Sequence, residues 1–126
     1  MKWKIEYYKK SDGTEPVTDF INTLPAKHAA KALWEIDLLE EFGTTLSMPY
    51  TKSIKGDKYK GLFELRIQQG NDISRIFYIL PVGNTFILLH GFLKKGKKTP
   101  PLELATALRY MKDYLGDDEK WEHMMK

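Results

Sequence analysis

Gly61–Gln68, GLFELRIQ, decides how this chain folds, because here apolar and polar residues start to alternate with a period of two. Phe63, Leu65 and Ile67 fall on one face of a strand, and Leu62, Glu64, Arg66 and Gln68 on the other. QGND then supplies a turn, and SRIFYIL and TFILLHGFL, separated by PVGN, read as two further strands joined by hairpins. Upstream, Trp3–Tyr8 alternates and ends before the turn signal SDG, which predicts a first strand. Glu15-Pro16 opens a short helix carrying Val17, Phe20, Ile21 and Leu24. Pro25, at an N1-like position, starts a longer helix through Phe42, with Ala29, Leu33, Ile36 and Leu39 as its apolar face and Gly43 as its C-cap. Downstream, PPLELATALRYMKDYL places Leu104, Leu108, Met111 and Leu115 at helical spacing behind two prolines.

The predicted class is α+β: an N-terminal strand, a two-helix hairpin, an antiparallel three-stranded meander and a C-terminal helix. The two N-terminal helices cover one face of the sheet, and the other face stays open. Residues 1–126 form a single domain in this reading, with 116–126 a polar, partly flexible tail.

The chain has 126 residues, 42% of them hydrophobic and 13% aromatic, enough apolar material for one core. It has no cysteine, which removes disulfides, thiolate metal sites and thiol nucleophiles. MKWKIEYYKK is too polar for a signal peptide, and no apolar run approaches the roughly 18 residues of a membrane helix, so the cytoplasm is the expected compartment.

A net charge of +3 hides a strong separation along the chain. Between Thr51 and Pro100 stand ten Lys and Arg against three acids, a balance of +7, while the flanks hold ten bases and fourteen acids, a balance of −4. A cationic middle of this kind points to a phosphate-bearing partner, nucleic acid first. Its densest part is KKGKK, Lys94, Lys95, Lys97 and Lys98 around Gly96, at the end of the third strand of the meander.

Strand alternation puts Arg66 on the face opposite the apolar trio, and the QGND hairpin brings Arg75 near it. Two guanidiniums side by side repel unless an anion bridges them, and a planar guanidinium holds two phosphate oxygens at once. Lys52, Lys55, Lys58 and Lys60 precede this strand and rim the same concavity in the predicted fold. Such a surface can bind RNA, and cleavage by the RNA's own 2′-hydroxyl needs only a base, cations and an acid, with no metal or cofactor. The plainer alternative pairs Arg66 and Arg75 with Glu64 and Asp72 as ordinary solvent-side residues. Either Lys94 or Lys95 faces the site, depending on strand register.

The histidines carry less. His28 reads as helix surface, His90 shares strand parity with Phe86, Leu88 and Phe92 and reads as buried, and His123 lies in the tail. Ser53 and Ser74 lack a partner base in sequence, and Tyr59, Phe63 and Tyr78 could stack on bases or belong to the core. There is no GxGxxG, P-loop, HExxH or metal-ligand spacing.

The order of elements, together with GLFELRI, SRIFYIL and LLHGFLKKGKKTPPLELATAL, resembles the RelE/ParE toxin superfamily, and within it the phage-derived HigB-like group, from about Lys2 to Leu115. The resemblance implies the toxin of a type II toxin–antitoxin pair: an mRNA interferase acting in the ribosomal decoding site and neutralised by a helix-turn-helix antitoxin. By position, it implies catalytic roles for Arg66, Arg75, Lys94 and Lys95, and RNA-binding roles for Lys55, Lys58 and Lys60; the KKGKK loop, with Lys97 and Lys98, is expected to hold the RNA backbone at the mouth of the open face. Relatives end with a His or Tyr near the site, whereas this chain ends in an acidic tail, which leaves the general acid open between a cation, Tyr78 and His123. The superfamily also contains gyrase inhibitors and so a non-catalytic alternative. The ten cations favour RNA over that alternative.

Overall fold

A computed structural model describes residues 3–81 and 83–116. Its elements are β1 (Lys4–Tyr7), α1 (Pro16–Thr23), α2 (Ala26–Phe42), β2 (Thr51–Ser53), β3 (Leu62–Gln69), β4 (Asp72–Ile79), β5 (Thr85–Leu93) and α3 (Pro101–Leu115). They build an α+β fold with one five-stranded sheet ordered β1-β5-β4-β3-β2. β1 runs parallel to β5, and every other neighbouring pair is antiparallel.

This differs from the expected arrangement in three ways. First, β3, β4 and β5 are the middle of a larger sheet, because TKS, too short and polar to announce a strand, pairs with β3 as β2. Second, α1 rests on β5 and α2 on β3, with little contact between the helices, so they lie side by side on the sheet rather than as a hairpin packed on itself. Third, the opposite face is not left open: α3 packs Ala107, Met111 and Leu115 against Phe77, Ile79, Ile87 and Leu89. β4 shows why both faces are covered. Ile76, Phe77, Tyr78 and Ile79 are all buried, a continuous apolar run that a one-sided sheet would expose on alternate residues.

The buried stripe of α2 is His28, Ala32, Glu35, Ile36 and Leu39, so Leu33, expected in the core, is 47% exposed. His28, expected on the surface, is buried because Ser74 of β4 meets it: His28 Nε2 and Ser74 Oγ are 2.9 Å apart. That hydrogen bond satisfies both groups inside an apolar seam, where an unpaired ring nitrogen would be costly.

Two glycines fix how closely the layers approach. At Gly91 of β5 a Cβ would sit 2.4 Å from Cδ2 of Phe20, so α1 lies directly on the strand backbone. Gly43 ends α2 with φ +58 and has the indole of Trp3 over it, leaving no space for a side chain in a conformation that L residues avoid.

β5 also carries an irregularity that positions the site. Phe77 faces His90 while the next residue, Tyr78, faces Leu88, so Leu89 is an extra residue opposite neither. Alternation changes phase there. Phe86 and Leu88 point into the α1/α2 layer, while Phe92 joins the α3 layer and His90 stacks on Phe77 beside it. His90 therefore does not share a face with Phe86 and Leu88, as parity had suggested.

Candidate nucleic-acid site

Arg66 and Arg75 are direct partners across the β3–β4 ladder, as the hairpin predicted. Both stand on the α3 side of the sheet, where the apolar layer under α3 takes in Leu62 at the start of β3 but not Glu64, Arg66 or Arg75. A depression of about 320 Å³ opens there, lined by Lys52, Ser53, Ile54, Lys55, Glu64, Arg66, Lys94, Lys97 and Thr99. Five cations from β2, the loop after it, β3 and the KKGKK loop thus surround one carboxylate.

That carboxylate, Glu64, organises the floor. Its Oε2 lies 3.4 Å from Arg66 Nε and 3.6 Å from Arg75 Nε. The two guanidiniums are held side by side by one acid that neutralises only one of their two charges. Arg75 is buried, donates from Nη1 to the carbonyl of Ser74 at 2.9 Å, and is fixed in place. Burial lowers its pKa from the ordinary value, Glu64 opposes that, and the adjacent Arg66 adds to it. Arg66 is freer: its Nη1 reaches only the Met48 thioether, at 3.4 Å, a weak partner that a phosphate oxygen would displace readily.

Lys94 stands at the end of β5, its backbone N–H bonded to the carbonyl of Ile73 at 2.8 Å. Its ammonium pKa is lowered, first by desolvation, then by Arg75, Arg66 and Lys52, with Glu64 acting in the opposite sense. Lys94 is therefore the lysine of the KKGKK pair that faces the depression. Lys95 does not line that depression; it borders a neighbouring basin of about 550 Å³, with Asn71, Asp72, Ile73, Leu93 and Lys97, which Lys94 borders as well.

The remaining sequence candidates divide clearly. Lys55 and Lys97 line the depression. Lys58, Lys60 and Lys98 are exposed outside its wall, and Lys58 lies 5.2 Å over the ring of Tyr59. Tyr78 is not an acid for this site: it is buried in the α1/α2 layer, stacked on Phe63, and burial pushes its hydroxyl up to about 12. Ser74 is engaged by His28. His90 is held by Glu103 of α3 at 2.7 Å and packed among Phe77, Phe92 and Tyr110, which makes it part of the seam under α3. His123 lies outside the described residues. Among the described residues no group of three or more His, Cys, Asp or Glu is disposed to hold a metal ion, and no helix is long and apolar enough to cross a membrane.

Sequence reasoning saw Glu64 only as a possible partner for the arginines and missed its place at the centre of the site. The signal was present: Glu64 shares the parity of Arg66, and an acid between two bases on a strand face is a bridging position. Glu35 and Thr99 carried no such signal, since both reach their sites from elsewhere in the fold.

An anion entering the depression meets Arg66, Lys52, Lys55, Lys94 and Lys97 from several sides. Residues 19–112 match the phage-derived Gp49-like protein family (DUF891). The chain belongs to that family. Its members are RelE/HigB-type toxin-like proteins, and the matched span runs from α1 nearly to the end of α3. No curated protein matches the chain.

Proposed function

We propose that this Gp49-like protein is the toxin of a type II toxin–antitoxin pair and an endoribonuclease that cuts mRNA on the ribosome. The observation that carries the proposal is the Arg66–Glu64–Arg75 array with Lys94 beside it: a freer guanidinium, one carboxylate and one ammonium of lowered pKa lining an open basic depression, with the fixed guanidinium of Arg75 buried next to them.

In this reading Arg66 takes two oxygens of the scissile phosphate, and Arg75 supplies fixed positive charge from below. The RNA 2′-hydroxyl gives its proton to the Glu64 carboxylate as its oxygen bonds to phosphorus. The P–O5′ bond breaks, and the Lys94 ammonium donates a proton to the departing 5′-oxygen, for which a lowered pKa makes it the stronger acid. The products are a 2′,3′-cyclic phosphate and a 5′-hydroxyl. The nucleophile belongs to the substrate, so the scheme uses no metal or cofactor. Lys52, Lys55 and Lys97 hold flanking phosphates. A helix-turn-helix antitoxin is the expected neutralising partner, carried over from the family resemblance.

The test is induction of the wild type and of Arg66→Ala in a bacterial host, with transcript 5′-ends mapped at nucleotide resolution. New ends inside translated frames, absent from the variant, are the expected result. Growth arrest without new ends would sink the ribonuclease reading and favour a non-catalytic toxin such as a gyrase inhibitor.

A further inference from the structure

Arg66 lines a second depression, on the other side of the free end of β3 beyond its pairing with β2. This cleft, about 280 Å³, is walled by Lys31 and Glu35 of α2, by Tyr50, and by Arg66, Gln68 and Arg75 of the sheet. A buried polar atom of these walls, the acceptor Glu35 Oε1, has no hydrogen-bond partner, whereas Arg75 Nε is turned to Glu64 Oε2 at 3.6 Å. Glu35 is only 2% exposed, so its orphaned oxygen is a substantial cost that the fold retains. Tyr50 lines the same space, and Trp34 packs on its ring edge-on at 6.4 Å between ring centres. The cleft thus combines a carboxylate at the back, cationic and amide donors at the sides and an aromatic wall, and it shares Arg66 with the proposed phosphate site.

We propose that this cleft receives a guanine base of the bound RNA, from a nucleotide flanking the phosphate held at Arg66, with the Glu35 carboxylate accepting hydrogen bonds from guanine N1–H and the N2 amino group. The inference rests on the RNA reading above. Guanine is the base that offers two parallel N–H donors on one edge to a carboxylate. Adenine and cytosine put a ring-nitrogen acceptor beside their amino group, and uracil flanks its single N–H with two carbonyls. Guanine also turns O6 and N7 to the other side as paired acceptors, which suits the guanidinium, ammonium and amide donors of Arg75, Lys31 and Gln68. Stacking on Tyr50 adds an attraction common to all bases. Burial also pushes the Glu35 carboxyl up to about 7, against the pull of Lys31 and Arg75, so the ionised acid is short of donors that a guanine edge would bring.

The experiment uses dye-labelled 2′-O-methyl hexauridylates carrying one guanine or one adenine, which lack the 2′-hydroxyl nucleophile, titrated by fluorescence anisotropy. Wild type should bind the guanine oligonucleotide at least tenfold tighter than the adenine one. Glu35→Gln should bind both at the wild-type adenine affinity, and Arg66→Ala should weaken both alike; urea midpoints check that each variant is folded. Equal wild-type affinities, or a guanine preference that survives in folded Glu35→Gln, would overturn the inference and leave the RNA reading standing. If neither oligonucleotide binds, both fall. A guanine preference that depends on Glu35 in a protein that cuts no RNA upholds the inference and removes the ribonuclease reading.

Discussion

Replacing Glu35 by Gln should stabilise the protein, and the gain should depend on pH in a defined direction. Burial raises the Glu35 pKa from 4.5 to about 7 in the folded chain, with Lys31 and Arg75 pulling the other way. A carboxyl with a raised folded pKa is held protonated by the fold. Below about pH 4.5 both folded and unfolded chains carry the proton and Glu35 behaves much as Gln would. As pH rises toward 7 the unfolded chain ionises freely while the folded one resists, so stability is lost through this window and the loss is complete above it. A difference of about 2.5 units, at about 1.4 kcal/mol per unit, makes that loss up to about 3 kcal/mol at pH 8. Gln keeps the shape and cannot ionise. Urea unfolding of the two proteins at pH 4.5, 6, 7 and 8 should give coincident midpoints at the acid end and a midpoint for Glu35→Gln that pulls steadily ahead toward pH 8, with an unchanged slope. Titrations common to both proteins cancel in the difference. A gap that is constant with pH, or that narrows as pH rises, would refute the assignment of Glu35 as an ionisable group buried without a partner.

Other outcomes follow from the site and the layers. Lys94→Met should slow RNA cleavage at least tenfold while Lys95→Met changes it less than threefold, measured by single-turnover cleavage, because only Lys94 lines the depression with Glu64 and Arg66. Five cations on that wall, Lys52, Lys55, Arg66, Lys94 and Lys97, predict a plot of log affinity for single-stranded RNA against log salt with a slope of about −3.5, at about 0.7 per phosphate contact, and Lys97→Ala should flatten it by about 0.7. Gly91→Ala should lower stability by about 1–3 kcal/mol in urea unfolding, since the new methyl meets Phe20, and Phe20→Leu should recover part of that loss.

The sequence made Arg66 and Arg75 legible because a short turn fixes a hairpin's register and alternation fixes its faces; both facts are local. It misplaced His28 and Leu33 because their environment is not local. The α2 stripe was sought among aliphatic residues, yet its buried members include His28, whose partner Ser74 is 46 residues away, and Glu35, whose burial depends on the sheet beneath. Periodicity alone sees a polar residue and assigns it to solvent. The covered second face was half legible: Leu62 on the Arg66 side of β3 and the unbroken run from Ile76 to Ile79 in β4 both require a second apolar layer, which α3 supplies. β2 was not legible at all, because three polar residues become a strand only through the edge of β3 that they cover.

The extra residue at Leu89 shows how far one such non-local feature reaches into the site. In an unbroken strand, Lys94 would share its face with Phe86 and Leu88 and project into the α1/α2 layer, away from Arg66. With Leu89 as an extra residue the phase changes, Leu89 fills the seam under α3, and Phe92 and Lys94 lie on the Arg66 face. The same shift brings His90 under α3 to Glu103, which anchors the start of that helix at the border of the open half-face. One inserted residue thus sets both where the cover on the sheet stops and which lysine stands over the uncovered arginines. The basic depression is consequently a property of the β4–β5 register as much as of the lysine count.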